Sequence, residues 1–136
     1  MKRPSRKTAI SHLIIKNRLK VAVLGGGSWA TALVKILTEN KRKVGWYVRN
    51  PINADFIKIH HHNPNYLSAA TLKTKRIEIS SDLNQVVRKA DLLIIAIPSA
   101  FLSKELDKLE ESLEGKIIFS AVKGVVPESM LIVGEH

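Results

Sequence analysis

The sequence predicts an α/β fold built on a doubly wound parallel sheet, and three observations carry that prediction. Short apolar runs at residues 21–24, 44–48 and 92–97 are apolar nearly throughout rather than alternating. Strands with helices over both sheet faces read this way. Stretches with helical spacing separate these runs, and alternating strands and helices imply parallel pairing through crossovers. The first run ends in Gly25-Gly26-Gly27, followed by Ser28-Trp29-Ala30 and a helix-like stretch. That is a strand, a glycine turn and a helix start in the spacing G-x-G-x-x-A.

The whole chain bounds the reading. Its 136 residues suit one domain with one core, and an apolar fraction of 45% with 25% charged residues is ordinary for a globular protein. Without cysteine, disulfides, thiolate chemistry and Cys-based metal sites are excluded, in keeping with a reducing, cytoplasmic setting. No apolar run approaches the roughly 18–20 residues of a membrane span. The net charge of +10 is unevenly spread. Lys2, Arg3, Arg6, Lys7, Lys16, Arg18 and Lys20 fall in an acid-free start, and removing these seven leaves +3 on the other 116 residues. The excess belongs to a tail rather than to a nucleic-acid-binding face. Residues 1–18 are therefore expected to be a basic, poorly ordered extension, and residues 19–136 the folded domain. A transit peptide, or an arm for nucleic acid or anionic lipid, is the other reading of that leader.

In chain order, residues 21–24 form the first strand. The helix over 29–40 repeats Ala32, Leu33, Ile36 and Leu37 at helical spacing and stops at Asn40. The second strand covers 44–48. Pro51 suits the first turn of a helix over 51–62, with Ala54, Ile57 and His61 facing inward. Consecutive helix positions point about 100° apart, so His60, His61 and His62 do not converge on one metal ion. Asn63-Pro64-Asn65 ends that helix and opens a loop holding Tyr66 and Leu67. Residues 76–79 alternate, as in a strand near a sheet edge. Ser81 or Asp82 caps a helix reaching Lys89. The LLIIAI run at 92–97 is the most hydrophobic and reads as a central strand. Pro98-Ser99 ends it, a helix continues to Leu113, Gly115 breaks it, and 116–122 is a fifth strand with Lys123-Gly124 just beyond. Val126-Pro127-Glu128 opens a further helix.

The expected strand order is 3-2-1-4-5 with right-handed crossovers. Ligands of such sheets sit beyond the carboxyl ends of the strands, where the order reverses between the first and the fourth. The edge defined this way gathers Gly25–Trp29, Arg49, Pro98-Ser99 and Lys123.

The chemistry follows from residue type. Gly25 lets the chain turn tightly out of the strand, Gly27 lets a pyrophosphate approach the backbone, and Ala30 lets the helix lie close to the sheet. Free N–H groups at the helix start then face the phosphates, with the positive end of the helix dipole behind them. A fingerprint for NAD usually ends the second strand in Asp or Glu, which binds the ribose 2′-hydroxyl. Here Arg49-Asn50 stands instead. Arg49 either pairs with a 2′-phosphate, favouring NADPH, or stacks on the adenine and leaves both cofactors usable.

Several motifs together resemble one family. GGGSWATAL, WYVRN, NPNYL, SDL, AIPSAFL and SAVKGV are similar to the N-terminal domain of bacterial NAD(P)-dependent glycerol-3-phosphate dehydrogenases, from about Lys20 onward. The resemblance implies a Rossmann-type domain for NAD or NADP. It implies hydride transfer between the nicotinamide and dihydroxyacetone phosphate or sn-glycerol 3-phosphate, a reaction that feeds glycerophospholipid synthesis. It places Ser28 and Trp29 at the cofactor phosphates, Arg49 at the adenosine end and Tyr66 against the cofactor. Lys123 would face both nicotinamide and substrate. The family commonly has Gly where this chain has Ala30. It also continues into a helical substrate domain that carries a second lysine and most of the substrate-phosphate site, and no matching segment stands here. The expectation is thus an incomplete cofactor domain without a complete catalytic set, binding nucleotide but turning over slowly or not at all, with a homodimer as the candidate assembly. Two alternatives remain: the cofactor domain of a ketopantoate-reductase-like enzyme, or a non-catalytic NAD(P) sensor.

Overall fold

The computed structural model describes residues 19–121. The expectations for residues 1–18, for Lys123 and for the helix opening at Val126 lie outside them. Five strands, β1 (Val21–Leu24), β2 (Val44–Tyr47), β3 (Ile77–Ser80), β4 (Leu92–Ile95) and β5 (Ile117–Ser120), pair in parallel in the order β3-β2-β1-β4-β5. Helices α1 (Ser28–Glu39), α2 (Pro51–His60), α3 (Leu83–Lys89) and α4 (Ser99–Leu106) fill the crossovers. The doubly wound sheet and its strand order are as the sequence predicts.

Strand alternation divides the core into two layers. Val23, Val44, Trp46 and Ile79 point to the side covered by Ala30 and Val34 of α1 and Ala54 and Ile57 of α2. Ala22, Leu24, Tyr47, Leu93 and Ile95 point to the other side, under Val86 and Val87 of α3 and Leu102 of α4. Both layers are apolar, so the central strands carry no polar face.

Several local expectations are corrected. The buried stripe of α1 is Ala30, Thr31, Val34 and Thr38, while Ile36 is exposed. Apolar spacing misplaced that stripe because two threonines are admitted to it. Thr31 Oγ1 donates to the Gly27 carbonyl at 2.7 Å and Thr38 Oγ1 to that of Val34 at 2.8 Å, so neither hydroxyl is buried unpaired. Helix α2 ends at His60, two residues early, because His61 takes a left-handed conformation (φ 64°) as its C-cap. His61 is therefore exposed rather than inward-facing, and its Nδ1 meets Thr74 Oγ1 at 2.6 Å. His60 and His62 instead share the Phe56 ring, while His61 is held apart by Thr74. Of the two candidate caps of α3, Asp82 serves, accepting from the Gln85 N–H.

Helix α4 stops at Leu106 rather than continuing to Leu113. Asn84 of α3 accepts from the N–H groups of Glu110 and Glu111 and donates to the Lys108 carbonyl. These bonds hold 108–111 out of helical geometry, a tertiary contact that local periodicity does not carry. The other strand ends move slightly: β3 is shifted one residue later than 76–79, and the ladders of β2, β4 and β5 are shorter than 44–48, 92–97 and 116–122.

Candidate dinucleotide site

The glycine turn leaves β1 where the sheet order reverses. Gly25 has φ +126°, and a Cβ there would stand 2.6 Å from the Ala96 carbonyl oxygen. Only glycine fits, on conformation and on space alike. A Cβ on Gly27 would meet nothing within 4 Å. That position is open on its outer side, as close approach of a ligand to the backbone requires. Gly27 is also the N-cap of α1 and supplies no side-chain acceptor, and α1 has no acidic residue in its first turn. The first-turn N–H groups are thus left for an external anion.

Three buried side chains fix this turn. Trp46, fully buried on β2, donates its indole N–H to the Gly25 carbonyl at 2.6 Å. Thr31 anchors the Gly27 carbonyl. Asn63, 2% exposed, donates to the Gly26 carbonyl (3.1 Å) and to Thr31 Oγ1 (3.0 Å). Its Oδ1 accepts from the N–H groups of Asn65 and Tyr66. All four hydrogen-bonding positions of this amide are filled. One side chain therefore joins the glycine turn, the first turn of α1 and the loop bearing Tyr66.

Two clefts flank the turn and meet at Ile97 and Pro98. The first, about 230 Å³, is lined by Gly25–Gly27, Arg49, Asn50, Asn53, Asn63, Tyr66, Pro98 and Glu105. The second, about 590 Å³, is lined by Ser28, Trp29, Ala32, Leu67, Ala96, Pro98, Ala100 and Ala121. Amides and charged side chains stand among the residues of the first and mainly apolar residues line the second, while the exposed surface of both is mostly apolar. All the site residues expected from sequence within the described range line one or both: Gly25, Gly27, Arg49 and Tyr66 the first, Ser28 and Trp29 the second, and Pro98 both. Another cleft, about 500 Å³, lies at the amino ends of β1–β3 among Lys20, Lys43, Lys75, Arg76 and Lys89. It is at the wrong end of the sheet for the helix and glycine geometry just described.

Four participants escaped the sequence reading: Trp46, Asn63, Tyr47 and Glu105. The NPNYL motif contained Asn63 but marked it only as a helix stop. Tyr47 and Glu105 form a buried pair, with the phenol donating to Glu105 Oε2 at 2.6 Å. Burial pushes the Tyr47 phenol upward, and its bond to the Glu105 carboxylate adds to the shift. Burial alone would raise the Glu105 carboxyl. The bonds from Tyr47 and Lys108, with the charges of Lys108 and Arg49, outweigh it and hold the group below its usual range. Glu105 is therefore an anion at neutral pH.

Strand order, glycine turn, uncapped helix start and paired clefts define a dinucleotide-binding domain of the Rossmann type. The chain belongs to the family described as NAD-dependent glycerol-3-phosphate dehydrogenase N-terminus, whose model matches residues 20–135. It is 34% identical over 115 residues to a glycerol-3-phosphate dehydrogenase [NAD(P)+] of Pseudomonas syringae pv. tomato, covering 85% of this chain and 33% of that protein. The solved glycerol-3-phosphate dehydrogenase of Plasmodium falciparum superposes with a TM-score of 0.74 at 28% identity, over 86% of this chain and 36% of that one. That of Coxiella burnetii gives 0.69 at 25% identity, over 83% and 35%. The chain thus spans about a third of the length of these proteins. Among the described residues, no helix is long and apolar enough to cross a membrane.

Proposed function

We propose that this chain is the cofactor-binding part of an NAD(P)-dependent glycerol-3-phosphate dehydrogenase. The reaction is hydride transfer between sn-glycerol 3-phosphate and dihydroxyacetone phosphate, serving glycerophospholipid synthesis. The observation that carries this reading is an open Gly27 and an uncapped helix start with a cleft on either side. A dinucleotide has the same build: two nucleoside halves on either side of a central pyrophosphate.

When bound, the nicotinamide supplies the hydride. The residues of this chain bind and orient. The backbone at Gly27, Ser28 and Trp29 takes the pyrophosphate, by N–H donation and by the field of α1. Arg49, Asn50, Asn53 and Tyr66 line the adenosine half, with Arg49 at its ribose. Trp29, Leu67, Pro98 and Ala121 present an apolar wall to the nicotinamide and exclude water from one side of it. Lys123 comes three residues after β5 in the sequence and is assigned, on the family resemblance, to the nicotinamide and the substrate. The 136-residue chain by itself is expected to bind cofactor and to turn over slowly or not at all, because hydride transfer also requires a firmly positioned substrate.

The test is titration of the purified chain with NADH and with NADPH, following tryptophan fluorescence. Trp29 lines one cleft and Trp46 is bonded to the glycine turn, so both report on the site. Saturable quenching by either dinucleotide supports the reading. A folded chain whose fluorescence responds to neither overturns it.

A further inference from the structure

The carboxylate that the end of β2 lacks is supplied from another element. Tyr47 ends β2 on the side of the sheet where α4 lies, and Arg49 follows two residues later, just past the strand. Glu105 of α4 receives both. It is 4% exposed, yet it lines the polar cleft with Arg49. Its Oε2 accepts the Tyr47 hydroxyl at 2.6 Å. Its Oε1 accepts Lys108 Nζ at 2.9 Å and stands 3.9 Å from Arg49 Nε. Lys108 and Arg49 therefore compete for one oxygen, and Arg49 holds the looser place, its side chain 66% exposed.

We propose that Glu105 is the counter-ion that sets the cofactor preference of this site by partly neutralising Arg49, so that a 2′-phosphate gains little over a 2′-hydroxyl and both dinucleotides are accepted. The inference rests on the dinucleotide reading above. Its physical basis is charge. Arg49 alone attracts a 2′-phosphate, and a fixed anion beside the guanidinium repels the same phosphate and draws on the same donors. The fold favours the anion, since the Tyr47 hydroxyl and Lys108 both donate to the Glu105 carboxylate. Glu105 acts through Arg49 and is a positioning residue, not a group in contact with the reacting atoms.

The experiment measures NADPH and NADH affinities of the full chain by fluorescence titration, for the wild type and for Glu105→Gln, Arg49→Gln and the double variant. Gln keeps an oxygen for the Tyr47 hydroxyl and removes the charge. In Glu105→Gln the NADPH-to-NADH affinity ratio is expected to rise about three- to fivefold, the size of an exposed charge interaction. The rise should shrink at high ionic strength. In the Arg49→Gln background the same change should leave the ratio unmoved. A purely structural lesion would weaken both dinucleotides alike, and an unmoved ratio in Glu105→Gln overturns the proposal. An equal rise with and without Arg49 overturns it too. Should Glu105→Gln fail to fold, Lys108→Gln gives the opposite test from an exposed position. It leaves Glu105 to Arg49 alone, and the ratio should fall; an unchanged ratio overturns the proposal. If the wild-type chain binds neither dinucleotide, the dinucleotide reading itself is overturned and this inference with it.

Discussion

The two clefts beside the glycine turn are built in opposite ways. The polar one is held from behind: Asn63 uses all its hydrogen-bonding capacity, Tyr47 and Glu105 are buried and bonded, and Trp46 braces the turn. The apolar one is a wall of side chains that stand half in water, Trp29 51% exposed and Leu67 47%. The difference teaches where this chain carries its own organisation. The cleft proposed for the adenosine half is preorganised within residues 25–105, so little ordering is left to be done on binding. The cleft proposed for the nicotinamide half offers surface rather than a fixed constellation. Affinity of the chain for a dinucleotide should therefore reside mainly in the adenosine half.

The largest break in that comparison is Gly25→Ala. It forces an L-residue into φ +126° and drives a methyl group into the Ala96 carbonyl. Backbone strain alone costs about 1–3 kcal/mol, and the clash adds to it. Denaturant unfolding should show a sharply lowered midpoint, with dinucleotide binding lost. Next is Asn63→Ala, which strips the Gly26 carbonyl and Thr31 of their partner and frees the Tyr66 loop. Leaving buried groups unpaired costs about 1–3 kcal/mol, and binding of ADP-ribose should weaken along with that of NADH. An Asn63→Ala chain as stable as the wild type would show that the polar cleft is not braced as described.

Gly27→Ala separates binding from stability. The methyl group meets no protein atom, so unfolding should shift by about 1 kcal/mol or less, the scale of an N-cap change. The space it fills is the one proposed for the pyrophosphate, and NADH affinity should fall about tenfold, or about 1.4 kcal/mol. Trp29→Ala sharpens the contrast on the other side. It should weaken NADH only a few-fold and leave ADP-ribose within error. Equal losses for both ligands would contradict the division into halves.

The smallest effects are on pH. Glu105 has a folded-state pKa below its unfolded one, so its contribution is present above about pH 4.3 and is lost as pH falls through the depressed folded value. Tyr47 has a raised folded-state pKa, so its contribution is complete below about pH 10 and is lost as pH rises further. Phenolate absorbance in a Tyr66→Phe chain reports Tyr47 alone. No phenolate should appear at pH 10 while the chain stays folded, and ordinary titration there would show that the Tyr47–Glu105 bond is absent in solution.

How much was legible in the sequence differs between backbone and side chains. Continuous apolar strands, helical spacing and three glycines determined the doubly wound sheet, the strand order and the edge that carries the glycine turn, because these depend on periodicity and on local backbone freedom. The same residues marked Gly25, Gly27, Arg49 and Pro98 as neighbours. Tertiary structure alone decided the rest. Asn84 ends α4 early from 24 residues away, Asn63 ties a loop to the glycine turn 37 residues back, and Glu105 meets Tyr47 across 58 residues. Such bonds are set by which side chains two packed elements bring face to face. That depends on the helix faces the core selects, and a pattern that admits Thr31 and Thr38 to the buried side of α1 does not show them in advance.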